Sequence, residues 1–191
     1  TITSWPMPNL VFKFGSMAAA KSLELLVTCF QYEAAGKRPC LIKPAVDTRQ
    51  PGLIWSRVPG MERKADLEIR EGDLLSPNLA QEFDVLLVDE SHWLSKELVD
   101  QLYALSTQIP VVCYGLRTDF QQRLFPGSAA LFALADEIVE IQGLCRFCHE
   151  PAAHNLRVST KPPPLDGSNV EPGADETFVP ACKSCYNRRK L

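Results

Sequence analysis

The sequence predicts an α/β fold, a mostly parallel sheet with helices on both faces, followed by a small cysteine-bearing segment. Three observations carry this prediction. Residues 83–88 and 109–114 are almost continuously apolar, as strands covered on both sheet faces must be. Helical spacing of apolar residues separates such runs, most plainly at 96–105. After Gly143 the composition turns to Cys, Pro, Gly and polar residues, with no apolar stretch long enough for a core of its own. Strands alternating with helices build parallel sheets, because right-handed crossovers lay the helices on both faces.

Taken in order, residues 9–14 form a short apolar run that stops at Gly15 and predicts a first strand. From Lys21 the apolar positions Leu23, Leu25, Leu26, Cys29 and Phe30 approximate a helix. Residues 40–43 follow a Gly-Lys-Arg-Pro turn and predict a second strand, and residues 44–60, rich in Pro, Gly and charge, predict a functional loop. The strands at 83–88 and 109–114 flank the helix at 96–105. Residues 129–140 add a helix running toward a last strand at 138–141. The expected division is residues 1–143 as the α/β domain and 144–191 as the appended one.

At 191 residues the chain has room for one substantial core and a small module. Twenty Lys and Arg against 23 Asp and Glu give a net charge of −3, which disfavours a nucleic acid partner. No apolar run approaches the roughly 18 residues that span a bilayer, and the N-terminal residues do not read as a signal peptide, so no membrane partner and a cytoplasmic location are expected. In a reducing compartment, paired cysteines point to metal rather than disulfides.

Gly15-Ser16-Met17-Ala18-Ala19-Ala20-Lys21-Ser22 has the spacing of the phosphate-binding pattern G-x-x-x-x-G-K-[ST], except that Ala20 replaces the second Gly. Small residues are needed so that successive backbone N–H groups can wrap phosphate oxygens, with the positive end of the next helix behind them. Lys21 would meet the terminal phosphates and Ser22 a magnesium ion. An ordinary strand-to-helix turn is the alternative, and Ala20 fits the motif if its φ is negative.

Leu86-Leu87-Val88-Asp89-Glu90 is an apolar strand ending in two acids, the pattern in which one carboxylate serves the magnesium shell and the next faces the nucleophile. The alternative for Glu90 is an acid near a helix N-terminus capped by Ser91 or Ser95. His92 is the histidine nearest this site. Cys145-x-x-Cys148 and Cys182-x-x-Cys185 supply four thiolates, a closed set for structural Zn²⁺ that leaves no open position for catalysis. Cys29, Cys40 and Cys113 fall in predicted helix or strand and read as core.

Five blocks in order, Phe14-Gly-Ser-Met-Ala-Ala-Ala-Lys-Ser22, Lys43-Pro-Ala-Val-Asp-Thr-Arg49, Leu87-Val-Asp-Glu90, Tyr114-Gly-Leu-Arg-Thr-Asp-Phe120 and the two Cys pairs, resemble the thymidine kinase family of the cellular and bacterial tetrameric type. The similarity spans about residues 9 to 186. It implies a P-loop NTPase-like domain that transfers the γ-phosphoryl group of ATP to the 5′-hydroxyl of thymidine or deoxyuridine. Glu90 matches the general base, Ser22 and Asp89 the magnesium shell, and Asp47 and Arg49 the family's Asp-x-Arg nucleotide element. Phe120 matches the aromatic near the thymine ring. The segment between the Cys pairs matches a lasso over the nucleoside, with Val170, Glu171, Pro172 and Gly173 as its substrate-binding part. Phe178 stands where the family commonly has Tyr. The resemblance also implies a homotetramer. A catalytically weak nucleotide-binding relative with a regulatory role is the alternative, motivated by Ala20 and Phe178.

Overall fold

In the computed structural model, residues 9–159 and 177–190 are described. The chain enters through β1 (Leu10–Gly15), α1 (Lys21–Ala34) and β2 (Pro39–Pro44), then makes the hairpin β3 (Leu53–Trp55) and β4 (Glu62–Lys64). It continues through β5 (Leu67–Ile69), the single turn α2 (Leu79–Glu82), β6 (Val85–Val88), a 3₁₀ turn at Ser91–Trp93 and α3 (Lys96–Leu105). β7 (Val111–Leu116), α4 (Pro126–Leu134) and β8 (Glu137–Glu140) complete the main sheet. Beyond it come β9 (Gly143–Leu144), β10 (Pro151–Ala152), β11 (His154–Arg157), β12 (Phe178–Ala181) and α5 (Lys183–Arg189).

Six strands form one sheet in the order β5-β2-β6-β7-β1-β8, and every neighbouring pair is parallel. Alternation sorts each strand's side chains between two cores. Leu10, Phe12, Leu86, Val88, Val111 and Cys113 pack with Leu98, Leu102 and Leu131 of α3 and α4. Leu41, Val85, Leu87 and Tyr114 point the other way, onto Leu25, Leu26 and Cys29 of α1. The continuous apolar runs in the sequence follow from this, since both faces of each central strand are dry. Cys29, Cys40 and Cys113 are buried core residues, as expected. Consecutive parallel strands all end at one edge, where β1, β2, β6 and β7 release the loops that form the site.

Several boundaries differ from those expected. The helix expected at 96–105 has those bounds, with the Ser95 hydroxyl capping it by accepting from the Leu98 N–H at 3.3 Å. The strand expected from residue 83 begins at Val85, because the Phe83 N–H closes α2 on Leu79 and the Asp84 carboxylate accepts from the Arg38 N–H. The helix expected from residue 129 begins at Pro126, a residue suited to the first helical position because its missing N–H has no helical partner there. The last strand is Glu137–Glu140 rather than 138–141. The loop at 44–60 contains β3, which pairs antiparallel with β4.

Past Gly143 the chain folds as two small antiparallel pairs, β9 with β10 and β11 with β12, and α5 packs on the latter. Leu156, Ala181, Cys185 and Tyr186 form its core.

Candidate functional site

A cavity of about 380 Å³ opens at the carboxyl edge of the sheet. Its wall includes Met17, Ala18, Ala20, Lys21 and Ser22 from the loop after β1, Asp47 and Arg49 from the loop after β2, and Asp89 and Glu90 from the end of β6. Phe120 and Phe178 form part of the opposite side. Gly15, Ser16 and Ala19 lie behind this wall. At Gly15 the need for glycine is close approach, since a Cβ there would fall 2.5 Å from the Ile141 carbonyl oxygen.

The loop between β1 and α1 does not meet the condition under which Ala20 is expected to fit the motif. Ala20 has φ 61° and ψ 27°, and Ala18 has φ 59°, so both alanines occupy the left-handed region. The expectation of a negative φ at Ala20 is corrected. The physical reason is that α1 starts at Lys21 out of a loop that reverses sharply, and alternation of left- and right-handed residues turns successive N–H groups to one side. A Cβ in this region costs about 1–2 kcal/mol relative to its usual conformation. Ala20 has no side chain to cap α1, which leaves first-turn N–H groups facing the cavity, the arrangement that receives anions. Lys21 folds back so that its ammonium donates to the Ser16 carbonyl at 2.7 Å. Burial lowers the Lys21 pKa to about 8, although the Glu90 and Asp89 carboxylates oppose the shift.

The Ser22 hydroxyl lies 3.2 and 3.1 Å from the two Asp89 carboxylate oxygens. The first turn of α1 and the end of β6 thus bring a hydroxyl and a carboxylate together, hard oxygen donors of the kind that hold Mg²⁺. Burial first, and then the neighbouring Glu90 charge, raises the Asp89 pKa to about 7. Such a carboxyl group is poised to ionise beside a cation.

Glu90 sits at φ 48°, a strained position for a side chain of its size. Ser95 caps α3, as the alternative for Glu90 supposes, but the Glu90 carboxylate is engaged elsewhere, by Arg49. Ser91 instead donates to the Tyr114 carbonyl at 2.9 Å and locks the turn against β7. The Glu90 carboxylate pairs with the Arg49 guanidinium, whose Nε donates to Asp47 at 2.7 Å. Burial, the largest single influence, pushes Glu90 up, but Arg49 and the other positive groups around it, Lys21 among them, together outweigh it, and its pKa is held below the usual range.

Lys43 anchors this chain of charges. It is 1% exposed, donating to the Gln50 and Leu53 carbonyls at 2.8 and 2.9 Å and pairing with Asp47 at 3.2 Å. A buried ammonium must be satisfied in this way, and here it fixes the curl of the loop that carries Arg49. The sequence held a signal for it, a lone charge inside the buried run Cys40-Leu-Ile-Lys43.

His92 is buried against Trp93 and Phe125, with ring centroids 4.8 and 4.7 Å away. Its Nδ1 accepts from the Leu116 N–H at 3.2 Å, so that nitrogen carries no proton and the ring is neutral with its hydrogen on Nε2. The 3.4 Å approach of Nδ1 to Glu90 is therefore not an ion pair. Burial lowers the His92 pKa to about 4 against the pull of Glu90.

On the far wall the Phe120 and Phe178 rings meet at 5.5 Å, tilted by 33°. They touch each other, which leaves no gap between them for a planar ligand. The Tyr186 hydroxyl of α5 donates to the Phe120 carbonyl at 2.6 Å and holds that wall in place. Val170, Glu171, Pro172 and Gly173 lie outside the described residues. Asn155, on β11, also borders the cavity and had no sequence signal, being one polar residue in an unremarkable strand.

The four sulfurs of Cys145, Cys148, Cys182 and Cys185 lie within 4.8 Å of one another. Cys148 is 3.6 Å from Cys182 and 3.7 Å from Cys185. These separations exceed a disulfide bond and approach the roughly 3.8 Å edge of a tetrahedron with Zn–S bonds near 2.3 Å. The donor set fits a structural zinc ion with no free coordination position.

The family model described as thymidine kinase matches residues 8–186. The thymidine kinase of Streptococcus agalactiae serotype Ia is 36% identical over 185 residues, covering 94% of this chain and 97% of that protein. That of Streptococcus pyogenes serotype M3 is 35% identical with the same coverage. A solved structure of Bacteroides Pif1 bound to ssDNA overlaps 70% of this chain and 38% of its own at 18% identity with a TM-score of 0.40, and the fold assignment rests instead on the strand order above.

Proposed function

The chain belongs to the thymidine kinase family, and on that premise we propose that it transfers the γ-phosphoryl group of ATP to the 5′-hydroxyl of thymidine or deoxyuridine. The observation that carries the reading is the junction of Ser22 with Asp89, which sets Glu90 in the cavity between the phosphate loop and the aromatic pair.

In this reading the nucleotide's phosphates occupy the loop after β1. Lys21 leaves the Ser16 carbonyl for the terminal phosphates, where its charge offsets what builds up on the transferred group. Ser22 and Asp89 would hold Mg²⁺, which would supply positive charge against that of the phosphates. Glu90 accepts the proton of the 5′-hydroxyl as the O5′–P bond forms and the bond from Pγ to the β-phosphate oxygen breaks, leaving ADP. Its low pKa is matched to Arg49, whose planar fork can shift to a phosphate and leave Glu90 more basic. The thymine ring rests on Phe120 and Phe178, and residues 170–173 complete its recognition. Residues 1–143 serve as the ATP-binding domain and 144–191 as the nucleoside-covering domain, with Zn²⁺ on the four cysteines fixing the ends of the covering segment. A homotetramer in the cytoplasm completes the proposal, and no helix among the described residues is long and apolar enough to cross a membrane.

A panel of thymidine, deoxyuridine, deoxycytidine and purine deoxynucleosides, each with ATP and magnesium, tests the reading. Thymidine and deoxyuridine are expected to be converted to monophosphates. Absence of transfer to every pyrimidine deoxynucleoside would refute it.

A further inference from the structure

Asn155 makes two hydrogen bonds that join parts of the site far apart in sequence. It lies on β11, within the cysteine-held region, and its side chain is buried. Its Oδ1 accepts from the Met17 N–H at 2.8 Å, and its Nδ2 donates to the Thr118 carbonyl at 3.1 Å. An amide offers a donor and an acceptor from one rigid plane, so a single side chain satisfies both partners. Met17 belongs to the phosphate loop, whereas Thr118 lies two residues before Phe120 of the aromatic wall.

The position of the first bond matters. Met17 directly precedes Ala18, one of the two alanines with positive φ. Strain of that kind persists only where surrounding contacts over-determine the backbone. Much of the loop's own support is thin: Ala20 provides no side-chain cap to α1, and the Ser16 hydroxyl is buried without a hydrogen-bond partner. The second bond works with the Tyr186 hydroxyl on Phe120, so the cysteine-held region grips the aromatic wall at two points and the phosphate loop at one.

We propose that Asn155 is a positioning residue that couples the phosphate loop to the aromatic wall, so that the cysteine-held region sets the spacing between the two substrates. The statement about both substrates rests on the kinase reading above. The hold on the phosphate loop stands without it.

The test uses the full chain with its metal bound. Asn155→Leu keeps the same side-chain branching and removes both bonds, and Asn155→Ser, too short to span them, serves if the variant with the larger leucine does not fold. Val179→Ala is the control, because Val179 packs in the core of the same region and does not line the cavity. Calorimetric titration with ATP and magnesium, without nucleoside, should show roughly tenfold weaker binding in the Asn155 variants with zinc content retained. Steady-state assays should show KM rising for ATP and thymidine together. The control should lose thermal stability and leave both constants unchanged. The proposal is overturned by wild-type ATP affinity in a zinc-retaining Asn155 variant, by a change confined to thymidine, or by equal shifts in the control. If the wild-type chain does not phosphorylate thymidine, the kinase reading fails and the ATP titration still decides the hold on the loop.

Discussion

The phosphate loop and the cysteine cluster solve the same problem, fixing a short irregular segment in one geometry, by opposite means. In the cluster, the geometry follows from the side chains themselves: four sulfurs at near-tetrahedral spacing fit one ion. In the loop the side chains contribute little, and two alanines sit in backbone conformations they disfavour. Its shape comes from outside, through β1, α1, Asn155 and the Ser22 contact with Asp89. A coordination site must spell its ligands in the sequence, whereas a backbone site can drift from its pattern so long as its neighbours hold it.

This contrast can be broken at several points. The largest effect is expected at Glu90, the proposed general base, whose carboxylate pairs with Arg49 rather than with the backbone of the loop after β1. Glu90→Gln should lower kcat roughly 10²- to 10⁴-fold in thymidine phosphorylation while ATP binding, followed by calorimetry, survives. Loss of ATP binding along with turnover would instead make Glu90 part of the loop's support.

Next in size is the cluster. Metal analysis should find one zinc per chain, and Cys182→Ser should lose the ion and melt the region around β11, β12 and α5. Hydrogen exchange is expected to rise there first and to spread to Phe120 through Tyr186. Retained protection in the metal-free variant would show that the small apolar core suffices alone.

His92 gives a smaller and pH-dependent effect. Its pKa falls from an ordinary value near 6.5 to about 4 in the folded chain. Between those values the unfolded chain binds the proton and the folded chain does not, so stability rises with pH across this window and is lost on acidification. The loss is about 3 kcal/mol when the window is fully crossed. Asp89, raised to about 7, contributes the opposite slope over the same window, so His92→Gln should lower the slope of unfolding free energy against pH between about 4 and 6.5 relative to the wild type, as read from denaturant titrations. An unchanged slope would assign the acid sensitivity to other groups.

The smallest effect is at the loop itself. Ala20→Gly relieves a positive φ and should stabilise the fold by about 1 kcal/mol, offset in part by the greater freedom of glycine in the unfolded chain.

The same contrast explains what was legible in the sequence. The parallel sheet could be read because burial on both faces makes strands such as Val85–Val88 continuously apolar, and α3 because its cap and spacing agree. The cysteine ligands were legible for the reason given above. β5 and the β3–β4 hairpin were not, since three-residue strands carry too little alternation to stand out from a loop. The structure gathers Lys21, Ser22, Asp47, Arg49, Asp89, Glu90, Phe120 and Phe178 around one cavity, and the role of each remains the proposal made above. Ala20's backbone could not be read, because a φ value is set by the turn the chain must make and not by the residue that occupies it. Asn155 escaped for a related reason: its partners are a backbone carbonyl and a backbone N–H, which every residue carries and no motif marks.

The most direct measurement is thymidine phosphorylation with ATP and magnesium by the wild-type chain beside Ala20→Gly. A loop held from outside predicts that the wild-type chain is active and that the glycine variant changes KM for ATP by no more than a few fold. A silent wild-type chain whose activity appears only in Ala20→Gly would contradict the account, since the surrounding contacts would then have failed to hold the loop in working shape.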